Sequence, residues 1–435
     1  MTHLLELLEN GTSPYHAVEW ESCFLEQGGF RELDFKKPFV LEAGGRYYVK
    51  PYPSALFAFV VGSEFIPACE RGGSKVKAAM AHTDFPCFKI KSNPEYTTKS
   101  YLQVNVEPYG GMLKNTWFDR PLGAAGKVVL VSEDIYSPKT MLFDSKEPLF
   151  IIPSLAPHMD READRKKEYD MQRELQPIAG MLREPCEKEE FLMRYLAQKL
   201  KVKKEDILAF DLYLYNMDKP EAVGLNREFL SAARIDNLAS VAALSEAVKT
   251  ADLRESLVMA ASFDNEEIGS RSKQGADSML LPLLLDKIEE GLKAGGAVGT
   301  WNIRDAFLRG FLLSVDGAHA LHPNYAAKSD PTNEVFLGKG PVIKTSASQR
   351  YLSDSESTAI LKQLCRKKDI SCQIQVNRSG MPGGQTLGPI AASYLPMQGA
   401  DVGLPMLAMH SARELAACGD YEELVKFVAG LFEEL

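Results

Sequence analysis

Acidic and imidazole side chains follow several apolar segments of this 435-residue sequence. The run SLVMAASF leads into DNEEIGSRS, which carries the adjacent acids Glu266 and Glu267, and KAAMAHTD ends with His82 and Asp84. Imidazole and carboxylate groups without thiolates suit zinc, manganese or cobalt. Each motif alone also fits an ordinary surface, a helix cap or a buried histidine. It is the combination that predicts a metal-dependent site.

Four further polar residues stand where apolar segments end. Asp264 also follows SLVMAASF, Asp316 ends FLLSVD, His410 follows PMLAM, and Asp236 opens the helix after SAARI. Ligands of an open α/β sheet collect outside the carboxyl ends of its strands. We therefore expect these groups at one edge of one sheet. The chain has only seven histidines, and two of them fall at this edge.

The adjacent glutamates have a chemical use in such a site. Two metal ions about 3.5–4 Å apart can share a bridging carboxylate and a water whose pKa they lower. One carboxylate cannot be a tight ligand and a free base at the same time. We therefore interpret Glu266 as the general base and Glu267 as a ligand. Asp84 is expected to accept the second imidazole proton of His82 or to orient the pair.

The elements that carry these residues alternate between helix and strand. After about residue 228, DNLASVAALSEAVKTA and STAILKQLCRKKD predict helices, GFLLSVD and SCQIQV predict strands, and PMLAMHSARELAA predicts a strand running into a helix. This alternation is typical of an α/β fold with a central sheet and helices on both faces. Residues 93–227 instead resemble short strands separated by Gly, Pro and Ser. We predict a discontinuous catalytic domain, residues 1–92 and 228–435, interrupted by a β-rich lid or oligomerisation domain.

The composition excludes some classes of protein and favours one compartment. The net charge of -9 argues against a nucleic-acid partner held by bulk electrostatics. No apolar run approaches the roughly 20 residues that span a bilayer, which predicts no membrane partner. The seven cysteines show no CxxC pair, and the N-terminus does not resemble a secretory signal. A cytoplasmic protein is the expectation.

These motifs together resemble a known family. AAMAHTDFPCFKIK, ARIDNLAS, SFDNEEIGSRSKQGADS, DGAHALHPNYAAK, GPVIKTSASQRY, GMPGGQTLGPI and LAMHSARELA are similar, in the same order, to motifs of the aspartyl aminopeptidase family of dizinc metallopeptidases, which includes aminopeptidase I. The resemblance covers nearly the whole chain. It implies peptide substrates, two zinc ions per subunit with manganese or cobalt as alternatives, and a homo-oligomer, typically a dodecamer built from dimers.

The resemblance also assigns roles to individual residues. It implies that Glu266 is the base and that the zinc ligands are His82, Asp236 as the bridge, Glu267, Asp316 and His410. It places Glu266 and Asp316 near the substrate amine. The other substrate-binding positions that it implies are His158, His319, Lys344 and Tyr351. Taken alone, His158, His319 and Lys344 are each more typical of a loop, a turn or a solvated surface.

Alternatives remain at this point. Lys344 would suit an acidic first residue of the peptide, Asp or Glu, whereas the aminopeptidase I branch prefers neutral residues. The chain departs from the family at Pro121, Gly384 and Gln385, which puts substrate preference in question. A dizinc carboxypeptidase or deacylase would share the histidine and the glutamate pair. A non-catalytic assembly or cargo protein is the alternative of another class.

Overall fold

The protein divides into two compact units that alternate along the chain. This computed structural model describes residues 1–159, 168–182, 190–381 and 383–434. The larger unit comprises Met1–Asp84, Pro220–Met409 and Glu414–Leu435, and the smaller unit comprises Phe85–Lys219 and His410–Arg413. Each unit is built on one sheet. That they correspond to catalytic and inserted domains with boundaries at 92/93 and 227/228 stays a prediction.

The strands of the described residues are, in chain order, β1 Arg31–Leu33, β2 Arg46–Tyr52, β3 Ala55–Val61, β4 Lys75–His82, β5 Cys87–Thr98, β6 Tyr101–Tyr109, β7 Leu122–Leu130, β8 Lys139–Asp144, β9 Ile178–Met181, β10 Ile207–Asn216, β11 Glu221–Val223, β12 Phe229–Ala232, β13 Ser256–Phe263, β14 Phe311–His319, β15 Val342–Thr345, β16 Gln373–Val376, β17 Gly399–Leu407 and β18 Glu414–Ala417.

The helices are α1 Thr2–Asn10, α2 Pro14–Gln27, α3 Phe65–Glu70, α4 Met171–Glu174, α5 Phe191–Leu200, α6 Ile235–Thr250, α7 Leu280–Ala294, α8 Ile303–Leu308, α9 Ser355–Lys368, α10 Leu387–Tyr394 and α11 Cys418–Glu434. Among the described residues, none of the helices combines the length and the apolar character that crossing a bilayer requires.

The sheet of the larger unit aligns its central strands in parallel. The strand order is β1-β2-β3-β13-β4-β14-β17-β18-β12-β11, with β15 paired to β17 and β16 paired to β15. Strand β4 is parallel to both β13 and β14, and β14 is parallel to β17. Their sequences are nearly continuous apolar runs, as expected for parallel strands that are buried on both faces. The carboxyl ends of these four strands therefore meet at one edge.

Helix α7 shows how the sequence builds the core beneath this edge. Its buried residues Leu281, Leu284, Leu285, Ile288 and Leu292 recur at intervals of three and four, which forms one apolar stripe. They belong to the same buried cluster as apolar residues of β3, β4 and β13. Burying one such side chain stabilises the folded state by about 1.5–3 kcal/mol. The strand ends are thus held on a close-packed core.

The smaller unit is an antiparallel sheet with the strand order β8-β7-β10-β5-β6-β9. The rings of Phe88 and Trp117 meet edge to face in its core, with centroids 5.3 Å apart. On its sheet, Asp211 of β10 accepts from the ammonium groups of Lys89, at 2.7 Å, and Lys127, at 3.1 Å. The unit is β-rich, as the short strand patterns predict.

The α/β fold class is confirmed, and one predicted element is wrong. The segment PMLAMHSARELAA was predicted as a strand running into a helix, but β17 ends at Leu407 and Glu414–Ala417 form β18. Strand β18 pairs antiparallel with β12, and Ala416 also pairs with Met406. This pairing outweighs the helix propensity of Glu, Leu and Ala. The helix begins at Cys418.

Candidate metal centre

His82 stands at the carboxyl end of β4 with three carboxylates around its outer ring nitrogen. Nε2 lies 3.4 Å from Oδ1 of Asp316, 3.6 Å from Oδ1 of Asp236 and 3.9 Å from Oε2 of Glu266. The side chain is buried, with 1% of its surface exposed. The strand order explains the meeting, because β4 lies between β13 and β14. Residues 236, 266 and 316 are remote in sequence but converge on one imidazole.

Asp84 fixes both the histidine and the glutamate pair. Nδ1 of His82 lies 3.0 Å from the carbonyl oxygen of Asp84 and 3.3 Å from its Oδ1. The Asp84 carboxylate also accepts the backbone N–H groups of Glu266 and Glu267, each at 3.1 Å. A proton on Nδ1 directed at Asp84 leaves the Nε2 lone pair available to a cation. Asp84 thus contacts both His82 and the backbone of the glutamate pair, and its orienting role stays a prediction.

The glutamate pair lies in a short turn after β13. Glu266–Ile268 form a single 3₁₀ turn between two left-handed residues, Asn265 with φ 64° and Gly269 with φ 97°. An amide side chain tolerates this conformation better than most, and glycine adopts it without strain. The chain therefore reverses directly beyond Phe263. This reversal directs both carboxylates back to the strand end.

Asp236 occupies the entry to α6. Its backbone angles, φ -81° and ψ 106°, are not helical, and the peptide bond to Asn237 is cis. The Asp236 N–H donates to Oε2 of Glu414 at 3.0 Å. Asn237 Nδ2 donates to the carbonyl oxygen of Val315 at 2.9 Å, which ties this entry to β14 beside Asp316. Asp236 is therefore a positioned acid rather than a simple helix cap.

Asp316 lies between the histidine and a buried cation. Lys344 Nζ is 3.7 Å from Oδ2 of Asp316, and only 3% of the lysine side chain is exposed. Burial would raise the pKa of Asp316, but Lys344 and His82 outweigh it and hold that pKa below its usual range. A Cβ at Gly403 would lie 2.4 Å from the Asp316 carbonyl oxygen and 2.8 Å from Lys344 Cε. Only glycine leaves room for this approach.

The donor set fits divalent cations. Potential ligand atoms of His82, Glu266 and Glu267 all lie within 4.8 Å of one another, and so do those of His82, Asp236 and Asp316. Gathering several carboxylates in a buried place is unfavourable without a compensating positive charge. Imidazole nitrogen and carboxylate oxygen are ligands that zinc accepts. The two groups share His82, so one or two ions could be held there.

The same crowding shifts proton affinities. Burial raises the pKa of Glu266 to about 8; His82 opposes this, while Asp316, Asp84 and Asp236 add to it. Burial and the charge of Asp84 likewise raise the pKa of Asp264 to about 7. A divalent cation among these oxygens would favour their ionised forms. The shifts thus describe a cluster with an affinity for positive charge.

Two predicted residues, His410 and His158, belong to the smaller unit. His410 does not end a strand, since β17 stops at Leu407; it lies in a turn with φ 66° and is grouped with the smaller unit. There its Nδ1 is 2.9 Å from the Gly111 carbonyl oxygen. His158, in the same unit, is exposed. The ligand role of His410 and the substrate role of His158 stay predictions.

His319 and Tyr351 belong to the larger unit. His319 ends β14, three residues beyond Asp316, and is exposed beside a cavity. Tyr351 is buried, and Lys344 Nζ lies 5.5 Å from its ring centroid. Asp316, Lys344 and Tyr351 therefore form a continuous wall. Their contacts with substrate stay predictions.

Sequence reasoning missed two buried acids near this wall. Glu414 accepts the N–H of Asp236, and Asp401, which is fully buried, accepts the N–H of Leu352 at 2.6 Å. Burial raises the pKa of Asp401, while Lys344, which lies opposite it in the β15–β17 register, lowers it. The only available signal was an acid inside an apolar run, GADVGLPML for Asp401. An acid placed there needs partners, and they are not visible in sequence.

Comparisons with known proteins give one consistent result. Residues 7–432 match the family model described as Aminopeptidase I zinc metalloprotease (M18). The chain is 41% identical over 423 residues to a probable M18 family aminopeptidase 2 of Clostridium novyi, covering 96% of this chain and 95% of that protein. It is 41% identical over 436 residues to a namesake from Clostridium acetobutylicum, covering 99% and 97%. The solved structure of the Ape4 and Nbr1 complex matches with a TM-score of 0.91 and 32% identity, covering 99% of this chain and 84% of that one.

Proposed function

Because this chain belongs to the Aminopeptidase I zinc metalloprotease (M18) family, we propose that the acid-rich group around His82 is its dizinc active site. Membership makes the protein a zinc-dependent aminopeptidase, a hydrolase. The observation that carries the proposal is the convergence of Asp236, Glu266 and Asp316 on Nε2 of one buried imidazole. Those residues come from the entry to α6, the turn after β13 and strand β14.

Four of the proposed zinc ligands lie together in the larger unit, and the fifth is assigned by resemblance. The full set is His82, Asp236 as the bridge, Glu267, Asp316 and His410. The first four are supported by the two ligand groups that share His82. His410 is supported by its match to the family motif LAMHSARELA. Manganese and cobalt accept the same donors and are alternatives.

Glu266 is the proposed general base. Bound zinc supplies a Lewis acid that acidifies water and polarises the scissile carbonyl. Glu266 takes the proton of the attacking water and later donates it to the leaving amine. Its side chain is 13% exposed, so water reaches it, while Asp84 holds its backbone through the 3.1 Å hydrogen bond. Glu267, tied to the same aspartate, is left for metal binding.

The substrate is proposed to enter with its free α-amine near Glu266 and Asp316. Two carboxylates at this point favour an ammonium group and so restrict cleavage to the first residue. Lys344 would pair with an acidic side chain of that residue, with Tyr351 beside the lysine, His319 at the end of β14 and His158 supplied by a neighbouring subunit. Asp or Glu is therefore the preferred first residue. A neutral preference is the alternative, because Gly384 and Gln385 depart from the family pattern.

The assembly and location are further proposals. The resemblance implies a homo-oligomer, a dodecamer built from dimers. The smaller unit offers support, since Val131, Ile135 and Tyr136 expose 52%, 83% and 90% of their surfaces after β7. Exposed apolar side chains near one another in sequence are consistent with a contact surface. A cytoplasmic location stays a prediction that rests on composition.

A panel of aminoacyl substrates tests the proposed function. Zinc, manganese and cobalt forms are each given peptides that differ only in the first residue, with Asp, Glu, Ala and Leu in that place. We expect the acidic substrates to be cleaved fastest, N-acetylation to abolish cleavage, and C-terminal amidation to leave it intact. Faster cleavage of Leu than of Asp would contradict the acidic preference. Cleavage from the carboxyl end would favour the carboxypeptidase alternative.

A further inference from the structure

A cavity of about 290 Å³ in the larger unit opens beside the end of β14. Four of its lining side chains are basic: His319, His322, Lys328 and Arg378. Lys328 and Arg378 are exposed at its mouth. Among the described lining residues, Asp330 is the single acid. The cavity therefore has an excess of groups that bind an anion, in contrast to the acid-rich group around His82.

The acid in the lining is already engaged by its own turn. Asp330 Oδ1 accepts from Thr332 N at 3.1 Å, Thr332 Oγ1 at 3.0 Å and Asn333 Nδ2 at 2.8 Å. The hydrogen bonds from Asn333 and Thr332 lower the pKa of Asp330. In the described residues, Lys328 and Arg378 form no ion pair with this acid. An incoming anion would therefore not have to displace an internal partner.

A buried side-chain amide oxygen indicates that the ligand carries a hydrogen-bond donor as well as an anionic group. Gln375 has only 5% of its surface exposed and lines the same cavity. Its Nε2 donates to Asn377 Oδ1 at 3.3 Å. No donor in the part of the chain that the structure describes hydrogen-bonds to its Oε1. A buried acceptor of this kind requires a donor, and a peptide N–H entering the cavity would supply one.

The cavity lies along the wall that the proposed active site uses. Gln375 of β16 pairs in register with Lys344 of β15, so both side chains lie on one face of the sheet. His319 follows Asp316 by three residues on β14, a span of roughly 10 Å along an extended strand. A Cβ at Gly383 would lie 2.0 Å from Asn377 Nδ2 and 3.3 Å from Tyr351 Oη. Because residue 383 is glycine, the Asn377 side chain and the Tyr351 hydroxyl can lie this close to the backbone that lines the cavity.

We propose that this cavity is a subsite for a carboxylate of the peptide downstream of the bond that is cleaved. Arg378 and Lys328 would pair with the carboxylate, and Gln375 Oε1 would accept a backbone N–H of the same peptide. The inference rests on the proposed function, which places the cleaved bond beside Asp316. An extended peptide advances about 3.3 Å per residue, so a span of roughly 10 Å reaches the second or third residue beyond the cleaved bond. The carboxylate is an acidic side chain there or the C-terminus of a short peptide.

Two pairs of peptides with a constant first residue test the subsite. The first pair is Asp-Ala-Glu-Ala-amide and Asp-Ala-Gln-Ala-amide, and the second is Asp-Ala-Ala with a free or an amidated C-terminus. We expect the wild type to cleave the charged member of a pair about fivefold more efficiently, the scale of an exposed ion pair. Arg378→Gln should bring that ratio close to one through KM. Preference in one pair only identifies which carboxylate is bound.

A matched control and a second variant complete the test. Arg366→Gln, an exposed arginine of α9 that does not line the cavity, should keep both the rate and the ratio of the wild type. Gln375→Leu should raise KM for both members of each pair, because the acceptor for the N–H is lost. A wild-type ratio of one in both pairs, or an unchanged ratio in Arg378→Gln, would overturn the subsite. If another first residue is cleaved faster than Asp, that residue replaces Asp, so failure of the acidic preference leaves this test intact.

Discussion

Two charge clusters on the sheets of this protein have opposite characters. Around His82 in the larger unit, carboxylates outnumber cations, and His82 and Asp84 expose 1% and 0% of their side chains. In the smaller unit, Lys89 and Lys127 flank Asp211, and all three are 24–32% exposed. Burial would raise the pKa of Asp211, but the two lysines outweigh it and lower that pKa. The second cluster has two cations for one acid, whereas around His82 the carboxylates are in excess of the cations.

The difference shows how a structural ion pair can be distinguished from a site that needs a ligand. A partly exposed cluster with sufficient countercharge needs nothing further, and such pairs contribute about 0–1 kcal/mol to the free energy of unfolding. A buried excess of carboxylates is unfavourable until a cation binds. Hydrogen bonds also fix the backbone of the acids around His82. Asp84 accepts the N–H groups of Glu266 and Glu267, and Glu414 accepts the N–H group of Asp236. Four variants test this comparison.

The largest effect is expected for Glu266→Gln. Glutamine keeps the size of the side chain but cannot accept the proton of the attacking water, so kcat should fall by about 10³-fold. The zinc content, measured by mass spectrometry, should stay at the wild-type value. Glu290→Gln, at an exposed position of α7, is the matched control and should retain full activity. Retained turnover in metal-loaded Glu266→Gln would remove the base assignment.

A smaller effect is expected for Asp84→Asn. The amide offers one acceptor oxygen instead of two, so it cannot satisfy both glutamate N–H groups and His82 together. Zinc affinity, measured by competition with a chelator, should fall by about 10–100-fold. Asp252→Asn, which is exposed, should leave the affinity unchanged. Unchanged affinity in Asp84→Asn would show that Asp84 does not orient the ligands.

Lys344→Met should change the preference for the first residue. Methionine fills a similar volume but has no charge for an acidic side chain. We expect the ratio of kcat/KM for Asp over Ala peptides to fall about tenfold, as for loss of a hydrogen bond to a charged group. Because Lys344 also faces Asp316, zinc content is measured in parallel. Lys362→Met, on the exposed side of α9, is the control, and an unchanged ratio in Lys344→Met would exclude the lysine from recognition.

The smallest effect is expected for Lys127→Met in the smaller unit. Asp211 would keep Lys89 at 2.7 Å, and the remaining pair is partly exposed. The free energy of unfolding should change by less than about 1 kcal/mol, measured by urea denaturation. Peptide cleavage should stay at the wild-type rate. A large loss of stability would mean that the Lys127–Asp211 pair does not behave as an exposed ion pair.

Sequence reasoning predicted the fold class, and it also predicted that His82, Asp236, Glu266 and Asp316 would gather at one edge. This was possible because apolar runs that end in polar residues define strand ends, and parallel strands bring those ends together. The short strand β18 was not predictable, since its pairing with β12 is a long-range contact. Glu414 and Asp401 were missed for the same reason, because their roles depend on which N–H groups tertiary packing brings to them.

We propose that the Asp236 carboxylate bridges two zinc ions beside His82. Anomalous X-ray scattering at the zinc edge, from crystals of the zinc-loaded protein, locates those ions directly. We expect two peaks about 3.5–4 Å apart, one on each side of the Asp236 carboxylate and both within coordination distance of the proposed ligands. A single peak, or peaks remote from Asp236 and His82, would contradict a dizinc site bridged by Asp236.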